Sequence, residues 1–204
     1  ERFLVGIFHP HSIIIGYDHR FGHDRKGDLQ LMEQYAQQHN YQLIEIPAKL
    51  IDEATVSSTK IRNALTAGRI DEANQMLGRR YSISGIVRHG NKLGRTLGYP
   101  TANLEPLEKE QIIPAVRIYA IQAVHHGVPY HGMLSIGYNP TVTDKKELRI
   151  EANLFDFALD IYDHELEISF VKRLRDEQKF DSLDDLVAQL HVDKEHTRRV
   201  LGLD

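Results

Sequence analysis

The stretch Gly85-Ile86-Val87-Arg88-His89-Gly90-Asn91-Lys92-Leu93-Gly94-Arg95-Thr96-Leu97-Gly98-Tyr99-Pro100-Thr101-Ala102-Asn103-Leu104 decides how this chain is read. Four glycines are interleaved with cations. Glycine lets backbone N–H groups approach an anion closely, and Lys or Arg supplies charge. On glycine count alone, a glycine-bearing β-hairpin is the plainer reading. The closing Pro100-Thr101-Ala102-Asn103 adds a second feature. In an extended segment residues i and i+2 share a face, so Thr101 and Asn103 present a hydroxyl and an amide oxygen side by side. Two neutral oxygens suit a hard cation whose other ligands are phosphates and water. An Asx or hydroxyl turn is the structural alternative.

On the C-terminal side the texture is that of short strands. Tyr81–Val87, Ile118–Val124, Tyr130–Ile136, Leu148–Phe155 and Glu165–Val171 are rich in β-branched and aromatic residues, with Gly- and Asn-bearing turns between them. Strands in series without intervening helices predict an antiparallel barrel or sandwich. Ser182 then caps a helix with Leu183, Leu186, Val187 and Leu190 at helical spacing, and a further helix is predicted from Lys194 to Leu201.

On the N-terminal side the pattern is α/β. Ser12-Ile13-Ile14-Ile15-Gly16 reads as a strand covered on both faces. Asp28 caps a helix carrying Leu31, Met32, Tyr35 and Ala36, and Tyr41–Ile46 is the next strand. Strand, helix and strand in this order predict a parallel crossover. Helices follow through Ile61, Ala64 and Leu65, closed by Gly68, and from Ile70 to Leu77, ended by Gly78. The domain boundary is expected near Gly78-Arg79-Arg80, giving domains 1–78 and 79–204.

Composition removes several function classes. Among 204 residues, Lys+Arg 25 against Asp+Glu 29 gives a net charge of −4, which argues against a broad nucleic-acid binder but not against a local basic pocket. No apolar run approaches the ~20 residues of a membrane span. With no Cys, disulfides and thiolate catalysis are excluded, and a reducing, cytoplasmic location is expected. The 12 histidines include His125, His126 and His131. No accompanying ligand set has a familiar spacing, so they read as surface or loop residues with no metal assigned.

Two further segments bear on chemistry. Glu151 sits among apolar neighbours in Leu148–Asp156, where a carboxylate can serve as general base for a hydroxyl, although most such Glu residues lie on a solvated face. Lys172-Arg173-Leu174-Arg175-Asp176-Glu177-Gln178-Lys179-Phe180 sets cations beside an aromatic, a clamp for a planar ligand or an anion. Its bland alternative is a solvated charge run.

Gly90 and the run Gly94–Asn103 closely resemble the signature loop of riboflavin kinases. Gly137-Tyr138-Asn139-Pro140-Thr141, Ile150-Glu151-Ala152 and Leu174–Phe180 match the same family in the same order. Gly16-Tyr17-Asp18-His19-Arg20-Phe21-Gly22 and Ser57-Ser58-Thr59-Lys60-Ile61-Arg62 resemble the FMN adenylyltransferase half of bacterial FAD synthetases, which precedes a riboflavin kinase domain in those proteins. The resemblance implies a partial nucleotidyltransferase (Rossmann-like) α/β domain followed by a six-stranded Greek-key barrel with a C-terminal helix. It implies riboflavin and ATP as substrates, Mg²⁺ as cofactor, and FMN, or FMN and FAD, as products. By the same resemblance Gly90, Gly94 and Arg95 bind ATP phosphates and Thr101 and Asn103 hold Mg²⁺. Glu151 is the catalytic base, and Arg175, Glu177 and Phe180 lie at the flavin. Gly16, Asp18, Phe21, Ser57, Ser58, Thr59 and Arg62 belong to the adenylyltransferase remnant.

There are departures from the family pattern. Arg117 stands where the family usually has Gly, Asn153 where it often has His, and Asp163-His164 where it often has Gly. The family's His-x-Gly-His motif is not found in these residues. The expectation is therefore an N-terminally truncated bifunctional enzyme that makes FMN and no FAD. A flavin-binding regulatory module with a degenerate kinase site is the first alternative, motivated by Arg117. A nucleic-acid-binding barrel is the second, disfavoured by the acidic balance and the lack of interleaved surface aromatics. Neither nucleic acid nor membrane is expected as a partner, and no residue pattern speaks to oligomeric state.

Overall fold

The structure is a computed structural model that describes residues 4–17, 19–47, 50–51, 54–90, 92–139 and 147–203. It divides into two compact units, Glu1–Val56 and Ser57–Asp204.

In the first unit, α1 (Leu4–Phe8) precedes β1 (Ser12–Gly16). The helix α2 (Leu29–His39) is capped by the Asp28 carboxylate, which accepts from the Leu31 N–H at 3.0 Å. Its far end is closed by Asn40 in the left-handed conformation. β2 (Gln42–Ile46) then pairs with β1 in parallel, with Ile14 opposite Ile44. A short antiparallel pair, β3 (Leu50–Ile51) and β4 (Ala54–Thr55), follows. The crossover is as expected, but full cover of β1 is not. Ile15, Met32 and Tyr41 form a cluster against which Val5 of α1 and Tyr35 of α2 pack, whereas Ile14 remains 62% exposed.

The second unit opens with α3 (Ser58–Thr66) and α4 (Ile70–Leu77). Its strands are β5 (Ser82–Arg88), β6 (Ala102–Pro106), β7 (Arg117–His125), β8 (Val128–Asn139), β9 (Glu147–Leu154) and β10 (Glu165–Asp176). They close in the order β10-β5-β6-β9-β8-β7, every neighbouring pair antiparallel. β7, β8 and β9 form a meander, while β6 to β7 and β9 to β10 cross to non-neighbours, which makes the barrel a Greek key. Closure leaves no free edge.

Alternation along the strands fills the interior. Ile83, Val87, Ile121, Leu134, Ile136, Ile150, Ile168 and Phe170 all pack in one core. Each such side chain contributes roughly 1.5–3 kcal/mol on leaving water. Ala64, Leu65, Ile70 and Ala73 join this core, and the Asn74 side chain bonds both the Phe170 carbonyl and the Tyr81 N–H. The helices at 58–77, grouped above with the first domain, therefore pack as part of the barrel unit.

β6, beginning at Ala102, is the sixth strand that the resemblance implied. One other expectation changes. The two tail helices are one, α6 (Leu183–Leu201), capped by the Ser182 hydroxyl accepting from the Asp185 N–H. The intervening His191-Val192-Asp193 contains no Gly or Pro, and Asp193 is buried against the barrel, so the helix continues. Arg117, at the usual Gly position, has no left-handed backbone. It bonds the Val116 carbonyl and pairs with Asp176, so glycine's freedom is not needed there.

Candidate active site

The site lies on the outer wall of the barrel. Along β9, Ile150, Ala152 and Leu154 face the core, so Arg149, Glu151 and Asn153 face outward. Strand register sets Asn103 of β6 opposite Glu151, and Glu151 opposite Ser135 of β8. Three polar side chains thus form a row across β6, β9 and β8. The row borders a cavity of about 400 Å³. Its other walls are α5 (Leu93–Thr96), the segment Glu177–Phe180 and the Leu186, Leu190 and Asp193 face of α6.

Of the expected residues, Gly94, Thr101, Asn103, Glu151, Arg175, Glu177 and Phe180 line this one cavity. Glu151 is partly exposed, with the Arg149 guanidinium 3.9 Å from one carboxylate oxygen. The Thr101 hydroxyl stands 3.5 Å from the other. Gly90 does not line the cavity. It makes room for it instead, since a side chain there would collide with the Asn103 amide. Gly137 plays the same part on β8, where an added Cβ would meet the Glu177 carboxylate at 2.5 Å.

Arg175 is not a free cation. Its guanidinium donates to both oxygens of Asp193, at 2.8 and 2.7 Å, and Gln189 donates to the same carboxylate at 2.9 Å. Asp193 is 4% exposed. The Arg175 guanidinium also lies 5.9 Å from the centre of the Phe180 ring. Two register shifts in β10, near Phe170/Lys172 and Arg173/Arg175, are bulges of the kind that re-aim side chains at barrel rims. Asp193 was missed from sequence because it reads as one more charge on an amphipathic helix. The Arg175 to Asp193 separation carries no local signal.

Arg95 faces elsewhere. It lines a second cavity, of about 450 Å³, with Val87, Thr101, Phe157 and Tyr162. Thr101 borders both cavities. Asn153, at the position often held by His, donates to the Pro100 carbonyl at 2.7 Å and so pins the end of the glycine-rich loop. Tyr99 adds a 2.6 Å bond to the His191 ring, which ties that loop to α6.

The residues of the adenylyltransferase resemblance fall in both units. Gly16 ends β1, and Phe21 exchanges backbone bonds with Gly27 at 3.0 and 2.8 Å. Ser57 caps α3, with Ser58, Thr59 and Arg62 on its first two turns. Asp18, together with Asn91, Pro140 and Thr141 of the kinase motifs, lies outside the described residues.

Thr101 and Asn103 suit a hard cation. Both offer neutral oxygens, they stand two residues apart beside the Glu151 carboxylate, and they border the cavity.

The riboflavin kinase family model matches residues 77–201, and the FAD synthetase model matches residues 1–60. A bifunctional riboflavin kinase/FMN adenylyltransferase of Listeria monocytogenes is 36% identical over 97% of this chain and 62% of its own length. The Bacillus subtilis protein of the same name is 36% identical over 98% and 63%, and that of Escherichia coli K12 35% over 94% and 60%. The chain thus spans less than two thirds of these curated relatives. A crystal structure named for a macrolide-efflux protein of Streptococcus pneumoniae matches with a TM-score of 0.82 and 40% identity, over 91% of this chain and 60% of that one. Among the described residues no helix is long and apolar enough to cross a membrane. With the family model covering well over half its length, and the barrel and motif geometry in place, the chain belongs to the riboflavin kinase family.

Proposed function

We propose that this chain transfers the γ-phosphoryl group of ATP to the ribityl 5′-hydroxyl of riboflavin, giving FMN and ADP. The observation that carries the reading is the convergence of seven motif residues, far apart in sequence, on one cavity. Riboflavin occupies that cavity, its ring system against Phe180 and the apolar face of α6. The nucleotide occupies the second cavity, where Arg95 adds positive charge. Thr101 stands where the two meet, which is where phosphoryl transfer has to occur.

Phosphoryl transfer asks the protein for positioning, charge neutralisation and a proton acceptor. Glu151 takes the hydroxyl proton as that oxygen bonds to the γ-phosphorus and the bridging P–O bond to ADP breaks. Thr101 and Asn103 would hold Mg²⁺, which would supply charge neutralisation at the phosphates. The Arg175–Asp193 pair fixes the flavin wall rather than binding an anion. Glu177, seated against Gly137, closes the end of the cavity. The regulatory-module alternative loses its motive, since Arg117 is accommodated without strain. A reducing, cytoplasmic location is part of this reading and rests on the absence of cysteine.

Incubation of the chain with riboflavin, ATP and Mg²⁺ tests it. FMN and ADP should appear in equal amounts and only with the metal. Flavin binding without phosphorylation would contradict the reading.

A further inference from the structure

A group of side chains away from both cavities has a chemistry of its own. His125 ends β7, His126 follows it in the turn to β8, and His164 immediately precedes β10. One nitrogen from each lies within 4.8 Å of the others. His125 Nε2 and His164 Nδ1 are 3.0 Å apart. Two nitrogens on a tetrahedral zinc stand about 3.3 Å apart, given Zn–N distances of about 2.0–2.1 Å. Closing on an ion therefore asks nitrogens that lie up to 4.8 Å apart to approach by about 1.5 Å.

The backbone brings the three histidines together. His126 and Gly127 both have positive φ, 48° and 78°, as in a type I′ hairpin turn, which favours Asn, Asp or Gly at its first position. A histidine there gives up part of that preference and gains a place beside its two partners. His125 is buried, contrary to the surface role expected from sequence. Its ring meets Phe157 edge-on at 6.4 Å and stacks on His164 at 5.3 Å. The backbone of His164 is fixed twice, its N–H donating to Ile161 and its carbonyl accepting from Val87. His126 and His164 also line a surface depression with Glu165 and Glu167, whose carboxylates offset an ion's charge.

We propose that His125, His126 and His164 form a binding site for a late first-row divalent cation, with zinc as its reference occupant. Three imidazoles select such an ion over Mg²⁺ or Ca²⁺, which require oxygen ligands. The fourth position is open to water or to a carboxylate of the depression. Ligation ties the β7–β8 turn to the connection before β10. Tyr162, two residues ahead of His164, lines the second cavity, so the ion anchors part of that wall.

Calorimetric titration of the untagged full chain with ZnCl₂ tests the site, beside the single variants His126→Ala and His164→Ala. Both are exposed positions, and circular dichroism checks that the variants fold. The wild type should bind one Zn²⁺ per chain and show a raised melting temperature with zinc. Each variant should bind at least ~10-fold more weakly, the scale of losing even an outer-shell partner, and lose the thermal shift. Excess Mg²⁺ should not compete. Absence of stoichiometric binding would overturn the proposal. So would undiminished binding by the variants, because the ion would then be held by other histidines.

Discussion

The two units solve the same packing problem with unequal means. Both present β-branched runs in strands. In the barrel each strand has two hydrogen-bonded neighbours, and the side chains of one face meet those of the opposite wall. In the first unit two parallel strands pair with each other, residues of α1 and α2 pack on Ile15, and Ile14, Ile44 and Ile46 remain 62%, 38% and 55% exposed. An isoleucine run therefore specifies a strand in either place, but the number of layers around it decides whether the strand becomes core. Precise chemistry needs the first situation. A row such as Asn103, Glu151 and Ser135 holds its register only where the strands behind it are locked together.

The sharpest way to break this contrast is at the row itself. Glu151→Gln keeps shape and removes basicity, so FMN formation should fall ~10²–10⁴-fold while riboflavin binding, read by flavin fluorescence, persists. Wild-type turnover would remove Glu151 from catalysis.

The flavin wall is next. Arg175→Ala leaves the buried Asp193 carboxylate without its main partner, a change worth about 3–5 kcal/mol where such pairs are fully buried. Because Arg175 is 20% exposed, the lower end is expected. Chemical denaturation should show that loss, with the riboflavin KM raised more than the ATP KM. Replacing both residues by Met and Leu should recover stability but not the KM. Equal loss of both substrates would show general misfolding instead.

The barrel core makes a prediction in alkali. Burial pushes the Tyr119 phenol up to about 12, while its hydroxyl donates to the Ala115 carbonyl at 2.6 Å. The folded chain thus resists an ionisation that the unfolded chain undergoes near pH 10. Its stabilising share is complete below pH 10 and is lost as pH rises towards 12, about 2–3 kcal/mol in all. Tyr119→Phe should flatten that limb of the stability curve. Smaller upward shifts at Tyr81 and Tyr99 remain in the variant, so the slope is reduced rather than abolished. An unchanged slope would contradict the assignment.

The smallest effect bears on the contrast directly. Amide hydrogen exchange should find β1 and β2 opening at least about tenfold more readily than β7 and β8. Equal protection would mean that the first unit is as well supported as the barrel.

Much of this was legible in the sequence because it is local. Alternation announced five of the six barrel strands, and caps at Asp28 and Ser182 marked two helix starts. The motif residues Thr101, Asn103 and Glu151 came from short patterns, and strand register then brought them together. Other features are not local. Asp193 becomes part of the site because α6 runs on past His191 and packs beside β10. Arg95, adjacent to Gly94 in sequence, turns to a different cavity because α5 is helical there. The histidine cluster depends on β7 and β10 being neighbours, a fact of barrel closure that no spacing reveals.

The central claim is that the chemistry of this chain resides in the barrel unit, and product analysis tests it most directly. Incubation of the 204-residue chain with riboflavin, Mg²⁺ and ATP, beside its Glu151→Gln variant, reads that chemistry out. FMN should form with the unaltered chain and fall ~10²–10⁴-fold with the variant. No FMN at all, or equal FMN from both, would contradict the claim.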